Sequence, residues 1–163
     1  MSNGIVRMPE PPRHVSLRRC SFRFSGRPHS IKAARDWLSV RMDIAGVPEE
    51  TADTAVLLLS ELATNALVHT ASGGEGGAFY VRAFFFHGRL RVEVRDAGRT
   101  PFPVEAATPD PDAENGRGLL LVDTLAHRWG RFESGRGPGM FFELRWNAQA
   151  IRTEPAPTAE SFR

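Results

Sequence analysis

The sequence predicts an α+β fold, a two-layer sandwich in which helices cover one face of a mixed, mostly antiparallel sheet. Two observations carry this prediction. Segments with strand-like alternation occur as two consecutive pairs, each joined by a short Gly-containing turn, which is the pattern of antiparallel hairpins. Segments with helical spacing of apolar residues precede and separate these pairs, and such a mixture is typical of α+β domains.

The expected elements follow in order along the chain. Alternating apolar residues predict a first strand within 14–24. Pro28 suits the first turn of a helix over 28–44, which Gly46-Val47-Pro48 ends, and a Leu- and Ala-rich helix follows over 49–69. The remaining elements are a hairpin, a third helix and a second hairpin, with expected bounds of 78–86, 89–95, 119–126, 127–133 and 139–146.

The two ends of the chain differ in composition from its middle. Residues 1–13 are Pro-rich and aperiodic, and residues 147–163 are polar and rich in Pro and Ala, so we expect a flexible N-terminal segment and a disordered C-terminal tail. One folded domain is expected over 14–146. Within it, residues 99–115 carry Pro and acidic residues without an apolar period, which predicts a lid over a ligand.

Composition excludes several classes of function. Of the 21 basic residues only Lys32 is a lysine, and no glycine immediately precedes it, which excludes a P-loop. Cys20 is the single cysteine, and no signal peptide or bilayer-spanning stretch is predicted, so we expect a cytoplasmic protein without a membrane partner. The arginines form no run of five basic residues and the net charge is only +2, so direct nucleic-acid binding is not expected.

Three short motifs carry candidate chemistry. On the second helix, Glu61, Asn65 and His69 lie four residues apart and form a polar stripe on an otherwise apolar helix. A carboxylate and a carboxamide one turn apart could bind a metal–nucleotide complex, although a solvated helix face is the alternative interpretation. We expect His69 to have a capping or packing role instead of a catalytic one.

The other two motifs flank the predicted lid. Asp96-Ala97-Gly98 follows a strand, where a carboxylate could accept a hydrogen bond from an exocyclic amine and a glycine would let a flat base approach; an ordinary turn is the alternative. Gly116-Arg117-Gly118 precedes the third helix, so its N–H groups could bind an anion, or it could be a plain helix-entry loop.

Together the motifs resemble a known set of sequence boxes. Glu61-Leu-Ala-Thr-Asn65-Ala-Leu-Val-His69-Thr70, Val94-Arg-Asp96-Ala-Gly98 and Gly116-Arg-Gly118-Leu-Leu-Leu-Val122-Asp123 are similar, in this order, to the N, G1 and G2 boxes of the histidine-kinase-like (GHKL) ATPase superfamily. Within it, the chain most resembles the RsbW-like anti-sigma-factor serine/threonine kinases, a branch to which Arg128-Trp129-Gly130 is also similar. The resemblance implies a Bergerat-type ATP-binding fold.

The resemblance also implies a role for each matching residue. Glu61 would be the general base, Asn65 a Mg²⁺ ligand, and Asp96 the acceptor for the adenine amine. Gly98 would line the base pocket. The phosphates would be held by three consecutive residues, Gly116, Arg117 and Gly118.

The implied function is phosphorylation, from ATP, of a serine in an anti-sigma-factor antagonist protein, together with sequestration of a sigma factor. The resemblance also allows a homodimer. Two positions depart from the family pattern, because Thr100 replaces a glycine that often follows the G1 motif and residues 137–142 contain no hydroxyl group. A non-catalytic, ATP-dependent protein-binding module is therefore the alternative function, and a sensor histidine kinase is a weaker one.

Overall fold

The computed structural model describes residues 18–69, 74, 76–96 and 114–148, with 69 and 114–118 described by their backbone alone. Within these ranges the chain forms three helices and five strands. In chain order they are β1 (Arg18–Ser25), α1 (His29–Ala45), α2 (Glu49–His69), β2 (Ala78–Phe86), β3 (Arg89–Asp96), α3 (Glu114–Leu125), β4 (Arg128–Ser134) and β5 (Gly137–Arg145).

The strands form one sheet in the order β1-β2-β3-β5-β4, and each described pairing is antiparallel. The β2–β3 and β4–β5 hairpins therefore lie side by side, as the two short turns predict. The helices pack on one face of this sheet. The predicted α+β sandwich is confirmed.

The core lies between the sheet and helices α1 and α2. Helix α1 buries residues four apart (Ser30, Ala34, Leu38 and Met42), which places one stripe of side chains against the sheet. Gly46 ends the helix in the left-handed conformation at φ 71°, and the N–H of Val47 bonds back to the carbonyl oxygen of Met42 at 3.0 Å. This is the glycine C-cap that the sequence predicts.

The alternation of each strand sorts its side chains between the two faces of the sheet. On β3, Leu90, Val92 and Val94 are fully or almost fully buried against the helices, while the intervening residues lie on the outer face. On α2, the apolar stripe that meets these strands consists of Ala55, Leu58, Leu59, Leu62, Ala63 and Ala66.

The third helix begins earlier than its apolar period predicts. It starts at Glu114, five residues before the expected Leu119, so 116–118 lie within the helix and do not precede it. The prediction of the helix start at Leu119 was wrong, because the turn over 114–118 contains no apolar residue and so carries no periodic signal.

Three predictions fall wholly or largely outside the described residues. These are the flexible segment 1–13, most of the lid over 99–115, and nearly all of the tail over 147–163. Within the described part of the chain, no helix is both long and apolar enough to cross a membrane.

Candidate functional site

Helix α2 carries the first group of candidate residues beside its buried stripe. Glu61 and Asn65 are half-buried, one turn apart, and each precedes a buried residue of the stripe, Leu62 and Ala66 respectively. Neither is on a fully solvated face, which was the alternative interpretation. His69 closes the helix, and its side chain lies outside the described residues.

Asp96 is the last residue of β3 and continues the row of side chains that faces the helices. It follows Leu90, Val92 and Val94 at two-residue intervals, and it is only 2% exposed. The alternation of buried apolar residues along β3 predicts an apolar side chain at this position, where the chain has a carboxylate instead. Its place in the helix-facing layer shows that Asp96 does not lie in a turn exposed to solvent.

Two glycines of β5 lie close to the end of β3. A Cβ added to Gly137, which has φ 126°, would lie 3.2 Å from the backbone oxygen of Asp96, and one added to Gly139 would lie 2.7 Å from that of Val94. Only glycine permits this approach without a shift of the backbone. Sequence reasoning did not assign these residues to the site, although the Gly137-Pro138-Gly139 pattern at a strand start was the available signal.

The third group lies on α3. The first N–H groups of a helix have no partner within it, so the N–H groups at the start of α3 can bind an anion. Gly116 and Arg117 lie in the first turn of this helix. Helix α3 packs on α2, with Val122 fully buried. Sequence reasoning missed a contact between α3 and β4, in which Trp129 Nε1 donates a hydrogen bond to Asp123 Oδ1 at 2.8 Å.

The structure thus places the described candidate residues in the helix layer and on the helix-facing side of the central strand of the sheet. Glu61 and Asn65 lie on α2, Asp96 faces the helices from β3, and residues 116–118 lie near the start of α3, which packs on α2. Gly98 belongs to a predicted part of the site that lies outside the described residues.

The chemistry of these residues fits ATP with Mg²⁺. A buried carboxylate can accept from the adenine amine, the N–H groups at the start of a helix favour phosphate, and an amide oxygen is a suitable magnesium ligand. Among the described residues, no group of three His, Cys, Asp or Glu residues could hold a metal ion. Magnesium usually takes only one or two protein ligands and completes its shell with phosphates and water, so Asn65 suits it as one such ligand.

Comparison with known proteins identifies the family to which this fold belongs. The histidine kinase-like ATPase domain matches residues 24–146, well over half of the chain, and the chain belongs to this family. The predicted resemblance to its RsbW-like branch is confirmed.

Individual relatives differ in how much of their length the chain covers. The chain is 29% identical over 131 residues to the serine-protein kinases RsbW of Listeria monocytogenes and Listeria innocua, which covers 74% of this chain and 73% of each relative. It is 43% identical over 63 residues to blue-light-activated histidine kinase 2 of Erythrobacter litoralis. This match covers 38% of the chain and only 18% of that kinase.

Proposed function

We propose that the protein binds ATP with Mg²⁺, phosphorylates a serine of an anti-sigma-factor antagonist and sequesters a sigma factor. The observation that carries the proposal is the buried Asp96 at the end of β3, on the sheet face covered by the helix that carries Glu61 and Asn65. The similarity to proteins named serine-protein kinases supports the choice of a protein substrate. The single cysteine is consistent with the cytoplasm, where these partners reside.

In the proposed reaction, the side chains of the chain mainly position and neutralise charge. Asp96 accepts a hydrogen bond from the adenine amine, and Gly98 lets the base approach. The N–H of Gly116 and the guanidinium of Arg117 hold the phosphates, and Gly118, which has no side chain, leaves room for them, because helix starts favour anions and arginine can bind phosphate through two N–H groups. Bound magnesium, with Asn65 as a ligand, supplies neutralisation of the phosphate charge.

Glu61 would act as the general base for the transfer. Its carboxylate accepts the proton of the serine hydroxyl as the serine oxygen bonds to the γ-phosphorus and the bond from phosphorus to the departing ADP oxygen breaks. The half-buried position of Glu61 suits this role, since it lies beside the core stripe of α2 and keeps access to solvent.

The kinase activity is tested by mass spectrometry of a purified antagonist protein after incubation with Mg²⁺-ATP. Wild type is expected to produce phosphoserine and Glu61→Gln to lose at least about a hundredfold in rate, since a positioned general base contributes about 10²–10⁴-fold. Glu50→Gln is the matched control, because Glu50 is an exposed glutamate at the start of the same helix. Equal rates for wild type and Glu61→Gln would contradict the role of Glu61.

A specific observation favours a second function, an ATP-dependent binding module without catalysis. Thr100 replaces a glycine of the family pattern, and residues 137–142 offer no hydroxyl group. The hydroxyl of Ser134, just before them, donates instead to the carbonyl oxygen of Gly137 at 2.9 Å. Sigma-factor capture that requires ATP, without any phosphoserine from wild type, would favour this function. Sedimentation of the same samples would test for a homodimer.

A further inference from the structure

The outer face of the sheet gathers arginines that are scattered in the sequence. Strand register aligns them in cross-strand rows with aromatic side chains, and we call this surface the arginine face. Its rows are Arg19, Phe84, Arg91, Glu143 and Arg128; Ser21, Arg82, Glu93, Phe141 and Gly130; Arg23, Tyr80, Arg95, Gly139 and Phe132; and Phe86, Arg89 and Arg145. Among the described elements, the helices lie on the opposite face.

The charge of the arginine face differs sharply from that of the whole chain. With Arg136 of the adjoining turn, the described part of the face contains nine arginines and two glutamates, a formal net charge of +7, whereas the chain as a whole carries +2. The remainder of the chain is therefore formally negative. A surface of one sign on a nearly neutral protein attracts partners of the opposite sign and orients them as they approach.

Several of these arginines are held in place by aromatic rings. The guanidinium carbon of Arg91 lies 3.7 Å from the ring centre of Phe141, that of Arg89 lies 4.1 Å from Phe86, and that of Arg95 lies 4.3 Å from Tyr80. Because stacked guanidinium groups have already lost much of their conformational freedom, binding a ligand costs them less entropy than it would cost a mobile side chain.

One end of the arginine face contains a pocket of about 100 Å³. Its lining residues are Ser21, Tyr80, Arg82, Glu93, Arg95 and Arg136. Arg95 is only 9% exposed and donates a hydrogen bond from Nη1 to the carbonyl oxygen of Arg136 at 2.6 Å. Burial lowers the pKa of Arg95, and the positive charges of Arg82 and Arg136 lower it further, whereas Tyr80 and Asp96 act in the opposite direction. An anion in the pocket would relieve this repulsion among three guanidinium groups.

The two glutamates of the face offset only part of the positive charge of the pocket, where Glu93 Oε2 lies 3.9 Å from Arg82 Nη1. Glu93 and Glu143 are bridged by Arg91, which approaches Glu93 Oε1 at 3.0 Å through Nε and Glu143 Oε1 at 3.1 Å through Nη1. Glu143 Oε2 also lies 3.7 Å from Arg89 Nη1. Both carboxylates are thus engaged with arginines of the face, and among the described residues that line the pocket three arginines share one acid, Glu93.

We propose that the arginine face binds an acidic polypeptide segment of a partner protein, with one of its carboxylates in the pocket lined by Arg82, Arg95 and Arg136. Charge complementarity selects this occupant over a second copy of the chain, because two copies meeting through the same face would bring like charges together. Single-stranded nucleic acid fits less well, since the guanidinium groups already cover ring faces on which bases would stack.

The test is fluorescence anisotropy with a labelled 12-residue peptide of alternating Glu and Ser. The double variant Arg82→Gln/Arg136→Gln is expected to bind it at least about tenfold more weakly than wild type, because it removes two of the three pocket charges. Arg131→Gln is the matched control, since Arg131 is an exposed arginine on the helix-facing side of β4. The assay contains no ATP, so it stands independently of the proposed kinase activity.

Three results would overturn the proposal. One is equal binding of the acidic peptide by wild type and the double variant. In another, wild type binds a peptide with Gln in place of each Glu as tightly as the acidic peptide, or more tightly. The same holds if wild type binds a 12-nucleotide single-stranded DNA at least as tightly as the acidic peptide. The third is a dimer of wild type, seen in sedimentation, that the double variant dissociates. The proposal would be supported if wild type binds the acidic peptide more weakly in 200 mM than in 50 mM NaCl, and if the double variant loses this binding while Arg131→Gln keeps it.

Discussion

Substitution of Gly139 by alanine tests the close packing of β5 against β3. A Cβ at this position would lie 2.5 Å from Cζ of Phe132 and 2.7 Å from the carbonyl oxygen of Val94. The phenyl ring can turn aside, but the backbone oxygen can move only with its strand. Overpacking of this kind costs about 1–3 kcal/mol, and the backbone contact places Gly139→Ala in the upper half of that range, at about 2–3 kcal/mol.

The matched variant is Gly135→Ala in the β4–β5 turn, where an added Cβ meets nothing within 4 Å. An alanine there is expected to leave the free energy of unfolding within about 0.5 kcal/mol of wild type. For a domain of this size about 1 kcal/mol corresponds to about 3 °C, so Gly139→Ala should unfold roughly 6–9 °C below Gly135→Ala. Circular dichroism during heating provides the measurement. Equal midpoints for the two variants would refute the close approach of the strands.

Three further predictions concern other parts of the fold. Glu143 is 1% exposed and forms an ion pair with Arg91, so Glu143→Gln should lower the free energy of unfolding of the protein by about 1–3 kcal/mol, measured by urea titration. An unchanged urea midpoint would contradict the buried ion pair. By the same method, Trp129→Phe should cost about 1 kcal/mol more in the wild-type background than in an Asp123→Ala background, because only the first contains its bond to Asp123; equal costs in both backgrounds would contradict the bond. Burial raises the pKa of the Cys20 thiol, so fewer thiolates form at pH 8 and iodoacetamide should modify the native chain more slowly than the urea-unfolded chain; equal rates would contradict this.

Most of the secondary structure could be predicted from the sequence, because the signals are local. The helix α2 and the strand β2 begin and end at the predicted residues, since Pro48, the glycines after the helix and the His87-Gly88 turn mark their limits. The start of α3 could not be predicted in this way. Its first turn contains only polar residues and glycine, which carry no apolar period from which a helix could be predicted.

The candidate site was predictable only in part. Asp96 was identified as a motif residue, but its burial depends on the pairing of β3 with β2 and β5 and so requires the whole sheet. The arginine face was not predictable at all from charge runs, because its residues come from all five strands and the turn between β4 and β5. Only the strand register brings Arg82, Arg95 and Arg136 to one pocket.

The most direct test of the central claim is calorimetric titration with Mg²⁺-ATP of wild type, Asp96→Asn and a control variant. Asp36→Asn is the control, because it removes the charge of an exposed aspartate on α1 whose ion pair with Lys32 contributes little. Losing a hydrogen bond to a charged acceptor costs about 1.5–3 kcal/mol, so Asp96→Asn should bind roughly 10–150-fold more weakly, and Asp36→Asn should match wild type. Equal ATP affinity for Asp96→Asn and wild type would contradict an adenine site at the end of β3.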